Sequence, residues 1–183
     1  MELIIATVIA VILVGFWIFT YNKMVKLKNW IEESWAQIDV QLKQRYDMIP
    51  NLVETVKGYA KHEQETLTKV IELRNQITSS SGSRQEQVDA DNQLTGALRQ
   101  LFALREAYPD LKANQNFIKL QEDIKGTENK LAYARRLYNQ TVREYNTTIQ
   151  SIPANIVASI HSFKKHDMLR IPEEERENVK VQF

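Results

Sequence analysis

Three histidines, His62, His161 and His166, are the first residues to weigh, because imidazole is the commonest metal ligand and general base. His62-Glu63 opens like the zinc motif of helical metalloproteases. The residue one turn on is Thr66, so the second ligand is missing. A di-iron site in a bundle needs two Glu-x-x-His pairs, but the residues three before the histidines are Tyr59, Ala158 and Phe163. There are no cysteines, which excludes thiolate nucleophiles, disulfides, Fe–S clusters and Cys-ligated zinc. The loop Ser79-Ser80-Ser81-Gly82-Ser83 has one glycine and no Lys-Ser/Thr after it, so it cannot cradle a phosphate as a P-loop does. These residues read as solvated polar groups or helix caps. No catalytic residue, metal ligand or cofactor is expected, and the chain is not read as an enzyme. Lys+Arg is 24 against 23 Asp+Glu, a net +1, which lacks the basic excess of a nucleic-acid binder.

One polar pattern carries more weight. Glu128, Arg135, Asn139, Arg143 and Asn146 recur at helical spacing beside an apolar stripe, and Asp39, Arg45, Asn51 and Glu54 lie near the inward face of an earlier stripe. The plain reading is a solvated face bordering the core. The sharper one is a ladder between helices, with Arg135 or Arg143 meeting Asp39 or Glu54. Such a ladder would fix register while contributing little net stability. The same six ionisable residues, Asp39, Arg45, Glu54, Glu128, Arg135 and Arg143, could instead contact a partner. Trp35 falls on an apolar stripe and reads as core. Trp30 sits one position off it and reads as core edge or partner contact.

The elements that must position these residues are helices. Gly 5 and Pro 4 are too few for the tight turns of a β-rich fold of this length. Leu27, Ile31, Trp35, Ile38 and Leu42 mark one helical face, which resumes at Ile49, Leu52, Val56 and Tyr59. Pro50 inside it predicts a kink near Arg45–Pro50, and Gly58 with Lys61-His62-Glu63 predicts a turn. Further stripes are Leu67, Val70, Ile71, Ile77, then Val88, Leu94, Leu98, Leu101, Leu104 up to Tyr108-Pro109-Asp110. The last runs from Phe117 through Leu131 and Tyr138 to Ile149, with an end near Ser151 before Pro153. Short connections between long helices favour an antiparallel bundle, here of four helices.

Ahead of the first stripe, Leu3 to Tyr21 carries no charge. Nineteen residues span roughly 28 Å, close to the hydrocarbon thickness of a bilayer. No basic residue precedes the run and no small-x-small site closes it, so an uncleaved anchor is expected rather than a signal peptide. Leu3, Phe16, Trp17 and Tyr21 belong to that anchor, with Tyr21 at the interface. Lys23, Lys26 and Lys28 then favour a cytoplasmic body. The expected organisation is an all-α chain: 1–21 a single transmembrane helix, 22–151 the bundle, 152–183 a short amphipathic segment and a polar tail. An even helix count would return that segment, with Ile156, Val157, Ile160 and Phe163, to the anchor end.

Three blocks carry a family resemblance: Tyr21 to Leu67, with IPNLVETVKGYA; Glu106 to Asn146, with YPDLKAN and TEN…ARR..YN; and Ile152-Pro153-Ala154-Asn155. Together they resemble the LemA family over most of the chain after the anchor. The resemblance implies a membrane-anchored antiparallel helical bundle in the bacterial cytoplasmic membrane, and no established enzymatic activity. Some relatives resemble lipoproteins, which implies the opposite, extracytoplasmic placement of the bundle. The expected role is a non-enzymatic scaffold or adaptor that binds other membrane or envelope proteins, or copies of itself. The alternative is a membrane-surface modulator whose C-terminal apolar segment contacts lipid. The bilayer, unidentified membrane proteins and a homo-oligomer are the expected partners, with no nucleic acid.

Overall fold

The structure is a computed structural model that describes residues 1–79 and 82–170. Part of the serine loop and the charged end of the tail, residues 171–183, lie outside the described residues. Among those described there are helices and turns and no strand. They are α1 (Glu2–Lys57), α2 (Gln64–Ser79), α3 (Arg84–Ala103) with a 3-10 turn over Leu104–Glu106, α4 (Pro109–Ala113), α5 (Gln115–Gln150) and α6 (Ala154–Ile160).

Helix α1 is 56 residues long and passes through Pro50 without ending. A proline in mid-helix removes one backbone donor, and the buried side chains on both sides, Ile49 and Leu52, hold the helix across the gap. The turn after Lys57 falls where Gly58 and the polar run place it. α2 ends at the serine loop, and Ser83 opens α3 with a reciprocal cap: its hydroxyl accepts from the Glu86 N–H, while its own N–H donates to the Glu86 carboxylate. The third stripe was expected to stay helical to Tyr108. Its α-helical part ends at Ala103, because the residue before Pro109 is driven out of the α region and the chain tightens beforehand.

Contacts divide the chain into two units. In the first, residues 1–36 and 135–168, the core is Met24, Leu27 and Ile31 of α1, Val142, Tyr145 and Ile149 of α5, and Val157 of α6. In the second, residues 37–134 and 169–183, the core is built on Ile38, Leu42, Ile49 and Leu52 of α1. Val70 of α2, Leu94, Leu98 and Leu101 of α3, and Phe117 and Ile124 of α5 complete it. α1 changes character along its length. Leu3, Ile12 and Phe19 are exposed at 81%, 63% and 71%, whereas Met24 and Ile31 are fully buried. The segment up to Tyr21 is long and apolar enough to cross a membrane by length and composition, and no other described helix is.

Candidate functional site

In the second unit, the inward face of α1 carries Arg45, buried to 1% exposure. Its Nη1 donates to both carboxylate oxygens of Asp91 on α3, at 3.1 and 3.3 Å, and Asp91 is equally buried. Nη2 lies 4.0 Å from Glu128 on α5, whose other oxygen is 3.9 Å from Arg99 of α3. Three helices are therefore held by one guanidinium. Removing Arg45 would take from the buried Asp91 carboxylate the guanidinium that offsets its charge.

The same unit brings the family-like blocks into contact. Tyr108 donates its hydroxyl proton to Glu63 at 3.2 Å, and the Asn114 amide donates to the Tyr59 hydroxyl at 2.8 Å. Asn114 also caps α5, accepting from the Phe117 N–H at 2.9 Å. Burial, then the neighbouring Glu63 charge, raises the Tyr108 phenol above its ordinary value, which keeps the donor protonated.

The first unit is built differently. Trp17 of α1 donates its indole N–H to His161 Nε2 at 3.2 Å, which leaves the imidazole proton on Nδ1. The Tyr21 ring lies 4.6 Å from that imidazole and 5.8 Å from the Phe163 ring. Beside this aromatic collar, residues 12–14 and 16–18 of α1 face Pro153, Ile156 and Val157 across an almost wholly apolar crevice of about 660 Å³. After α6 the chain is strapped along α5. The Tyr145 hydroxyl donates to the Lys164 carbonyl at 3.0 Å, and Asn146 exchanges two hydrogen bonds with the His166 backbone at 2.8 and 3.0 Å. Burial raises the Tyr145 phenol above its ordinary value.

The sequence-derived polar residues fall in separate places. Arg45 and Glu128 come together. Glu54 is exposed and pairs with Lys57 one turn on at 3.8 Å. Asp39 and Arg143 are exposed, while Arg135 is buried. Of the anchor residues, Leu3 is exposed, and Phe16, Trp17 and Tyr21 line the α6 side. Trp35 packs edge-on against Tyr138, with ring centroids 6.0 Å apart, and Trp30 is 43% exposed under the Lys26 ammonium. The sequence reading missed Asp91, although it sits three residues after Val88 and three before Leu94, so that helical spacing already places it on the inward face. It also missed His161 as an acceptor for Trp17. No group of three or more His, Asp or Glu placed to hold a metal occurs among the described residues.

A family model described as the LemA family matches residues 34–183. The chain is 24% identical to Protein LemA of Metamycoplasma hominis, over 81% of this chain and 69% of that protein. It is 21% identical to the magnetosome proteins MamQ 1 and MamQ 2 of Paramagnetospirillum magneticum, over 89% of this chain and 69% of each.

Proposed function

Because the chain belongs to the LemA family, we propose that it is a single-span membrane protein that acts as a non-enzymatic scaffold or adaptor. Its helical body presents surfaces to other membrane or envelope proteins or to further copies of itself. The observation that carries this reading is the change within one unbroken helix, from exposed apolar side chains before Tyr21 to a buried stripe after Met24. An anchor continuous with a folded body suits a protein that holds partners at a fixed place on a bilayer. The likeness to proteins named for the magnetosome supports a membrane setting. The body has apolar side chains available for partners: Trp30, Val40 and Tyr133 are 43%, 51% and 63% exposed. Lys23, Lys26 and Lys28 favour the cytoplasmic side for the body.

The test is photocrosslinking from Trp30, Val40 and Tyr133 in native membranes, read by mass spectrometry. Recurrent crosslinks to the same few membrane proteins, or to the chain itself, are expected. Crosslinks no more frequent than those from the exposed Lys57 would contradict the scaffold reading. Side is tested by a cysteine at Gly82, which should resist an impermeant maleimide in intact spheroplasts. Rapid labelling there would place the body outside.

A further inference from the structure

The α6 segment occupies an unusual position relative to the anchor. Tyr138 of α5 packs on Trp35 of α1. Thirteen residues further on α5 is Ser151, and thirteen residues back on α1 is Asn22, about 20 Å in each case at helical rise. Helix α5 therefore runs out at the level where the apolar run of α1 begins. The chain does not turn back there. Pro153, Ile156 and Val157 lie against residues 12–18, and only at His161 and Phe163 does the chain regain the level of Tyr21. Ile12 is roughly 14 Å along α1 from Tyr21, about half the hydrocarbon thickness of a bilayer.

The chemistry of this dip fits lipid. No charged residue occurs from Ser151 to Phe163, and Lys164 and Lys165 follow directly, just as Lys23 follows Tyr21. Ile152, Ile156 and Ile160 form a row four residues apart and are 85%, 54% and 62% exposed. Backbone groups inside a bilayer must find partners within the chain. The Asn155 N–H donates to the Ser151 carbonyl at 2.8 Å, and the His161 N–H to Val157 at 3.1 Å. Ser162, at φ 56°, turns the chain so that its own N–H donates to Ser159 and that of Phe163 donates to Ala158. Of the polar side chains of the dip, His161 is bonded by Trp17, while the Asn155 amide oxygen is buried without a hydrogen-bond partner.

We infer that residues 152–163 form a re-entrant segment inserted beside the anchor into the leaflet nearest the body, and that a phospholipid acyl chain fills the crevice between α6 and α1. The inference rests on the reading of residues 3–21 as a membrane span. Lys164 and Lys165, both exposed, then stand at headgroup level, where anionic lipid attracts them. The occupant follows from continuity: the crevice wall of Ile12, Phe16 and Trp17 is the flank of the span itself, and it opens onto the same apolar surface.

The full-length chain, free of native cysteine, takes a single fluorophore at Ile156, Ile160 or Val14, with Ile9 as anchor control and Tyr133 as body control. It is reconstituted in phosphatidylcholine–phosphatidylglycerol vesicles whose acyl chains carry bromine. Quenching at Ile156, Ile160 and Val14 as deep as at Ile9, with Tyr133 unquenched, is expected. Quenching at Ile9 and Val14 without quenching at Ile156 and Ile160 overturns the inference and leaves the span reading standing, whereas no quenching at Ile9 removes both. Crosslinking of Ile156 to a second copy, with its probe shielded from bromine, assigns the crevice to self-association and also overturns it. Ile156→Asp, at an exposed side chain, should keep its helicity in detergent while the Ile160 probe loses most of its quenching. Unchanged quenching there counts against lipid insertion.

Discussion

The two units use the same long helix, α1, to opposite ends. Around Arg45 the helix turns a charge inward and surrounds it with Asp91, Glu128 and a full apolar core. Around Trp17 it turns aromatic edges toward α6 and leaves isoleucines exposed. An internal charge specifies one register, because every alternative leaves it unpaired. An exposed apolar row specifies a solvent, because only lipid or another protein covers it without cost. Both units enclose a core, but the first also leaves a long apolar row exposed, whereas the second encloses an ion pair.

Four sets of measurements sharpen that contrast. The largest effect is expected at the ion pair. Arg45→Met alone should destabilise by about 3–5 kcal/mol in denaturant melts of the detergent-solubilised chain, because the buried Asp91 carboxylate loses its guanidinium counter-charge. Arg45→Met with Asp91→Leu should recover most of the loss; a double variant as unstable as the single would mean that packing, not charge, sets the cost. Next come apolar truncations. Leu42→Ala, at a side chain 2% exposed, should cost about 2–5 kcal/mol. Ile156→Ala, at 54% exposure, should stay within about 0.5 kcal/mol in detergent. Equal losses would erase the distinction between enclosed and exposed apolar surface.

Smaller effects are expected along the strap. Tyr145→Phe removes the donor to the Lys164 carbonyl and should cost about 1 kcal/mol. Burial raises the phenol in the folded state, so its contribution is complete below the ordinary phenol value and is lost as pH rises through the higher folded value. A pH melt should show a larger alkaline loss in the parent than in Tyr145→Phe, where the raised Tyr108 phenol still contributes. Ser162→Gly relieves a side chain held at φ 56° and should stabilise by about 1 kcal/mol. The smallest effect concerns Asp39 and Arg143. Both are exposed, and the cycle Asp39→Asn with Arg143→Gln should be additive within about 0.3–0.5 kcal/mol. A larger coupling would restore the ladder between them.

The helices were legible because burial imposes a period of 3.6: Leu42, Val70, Leu98 and Ile124 on those stripes are buried, whereas Tyr59 and Ile71, also placed on them, are exposed. The apolar run was legible because nineteen uncharged residues stand out from any amphipathic stripe, and the helix that carries them is long and apolar enough to cross a membrane. The partner of Arg45 was not. Period places Asp91 on the Val88–Leu94 face and Asp89 off it, but that Arg45 meets Asp91 rather than another acid depends on register between helices. The blocks YPDLKAN and VKGYA could be recognised without their reason being visible. Tyr59 and Asn114 are 55 residues apart in sequence and meet only in the folded chain.

The central claim is that residues 3–21 hold a folded helical body to a bilayer. Washing membranes that contain the full-length chain with alkaline carbonate tests it most directly, beside a variant in which Ile5, Ile9 and Leu13 are changed to Asp. The account predicts that the full-length chain stays in the membrane pellet and that the substituted chain enters the supernatant with its helical circular dichroism intact. Release of the unsubstituted chain would contradict it.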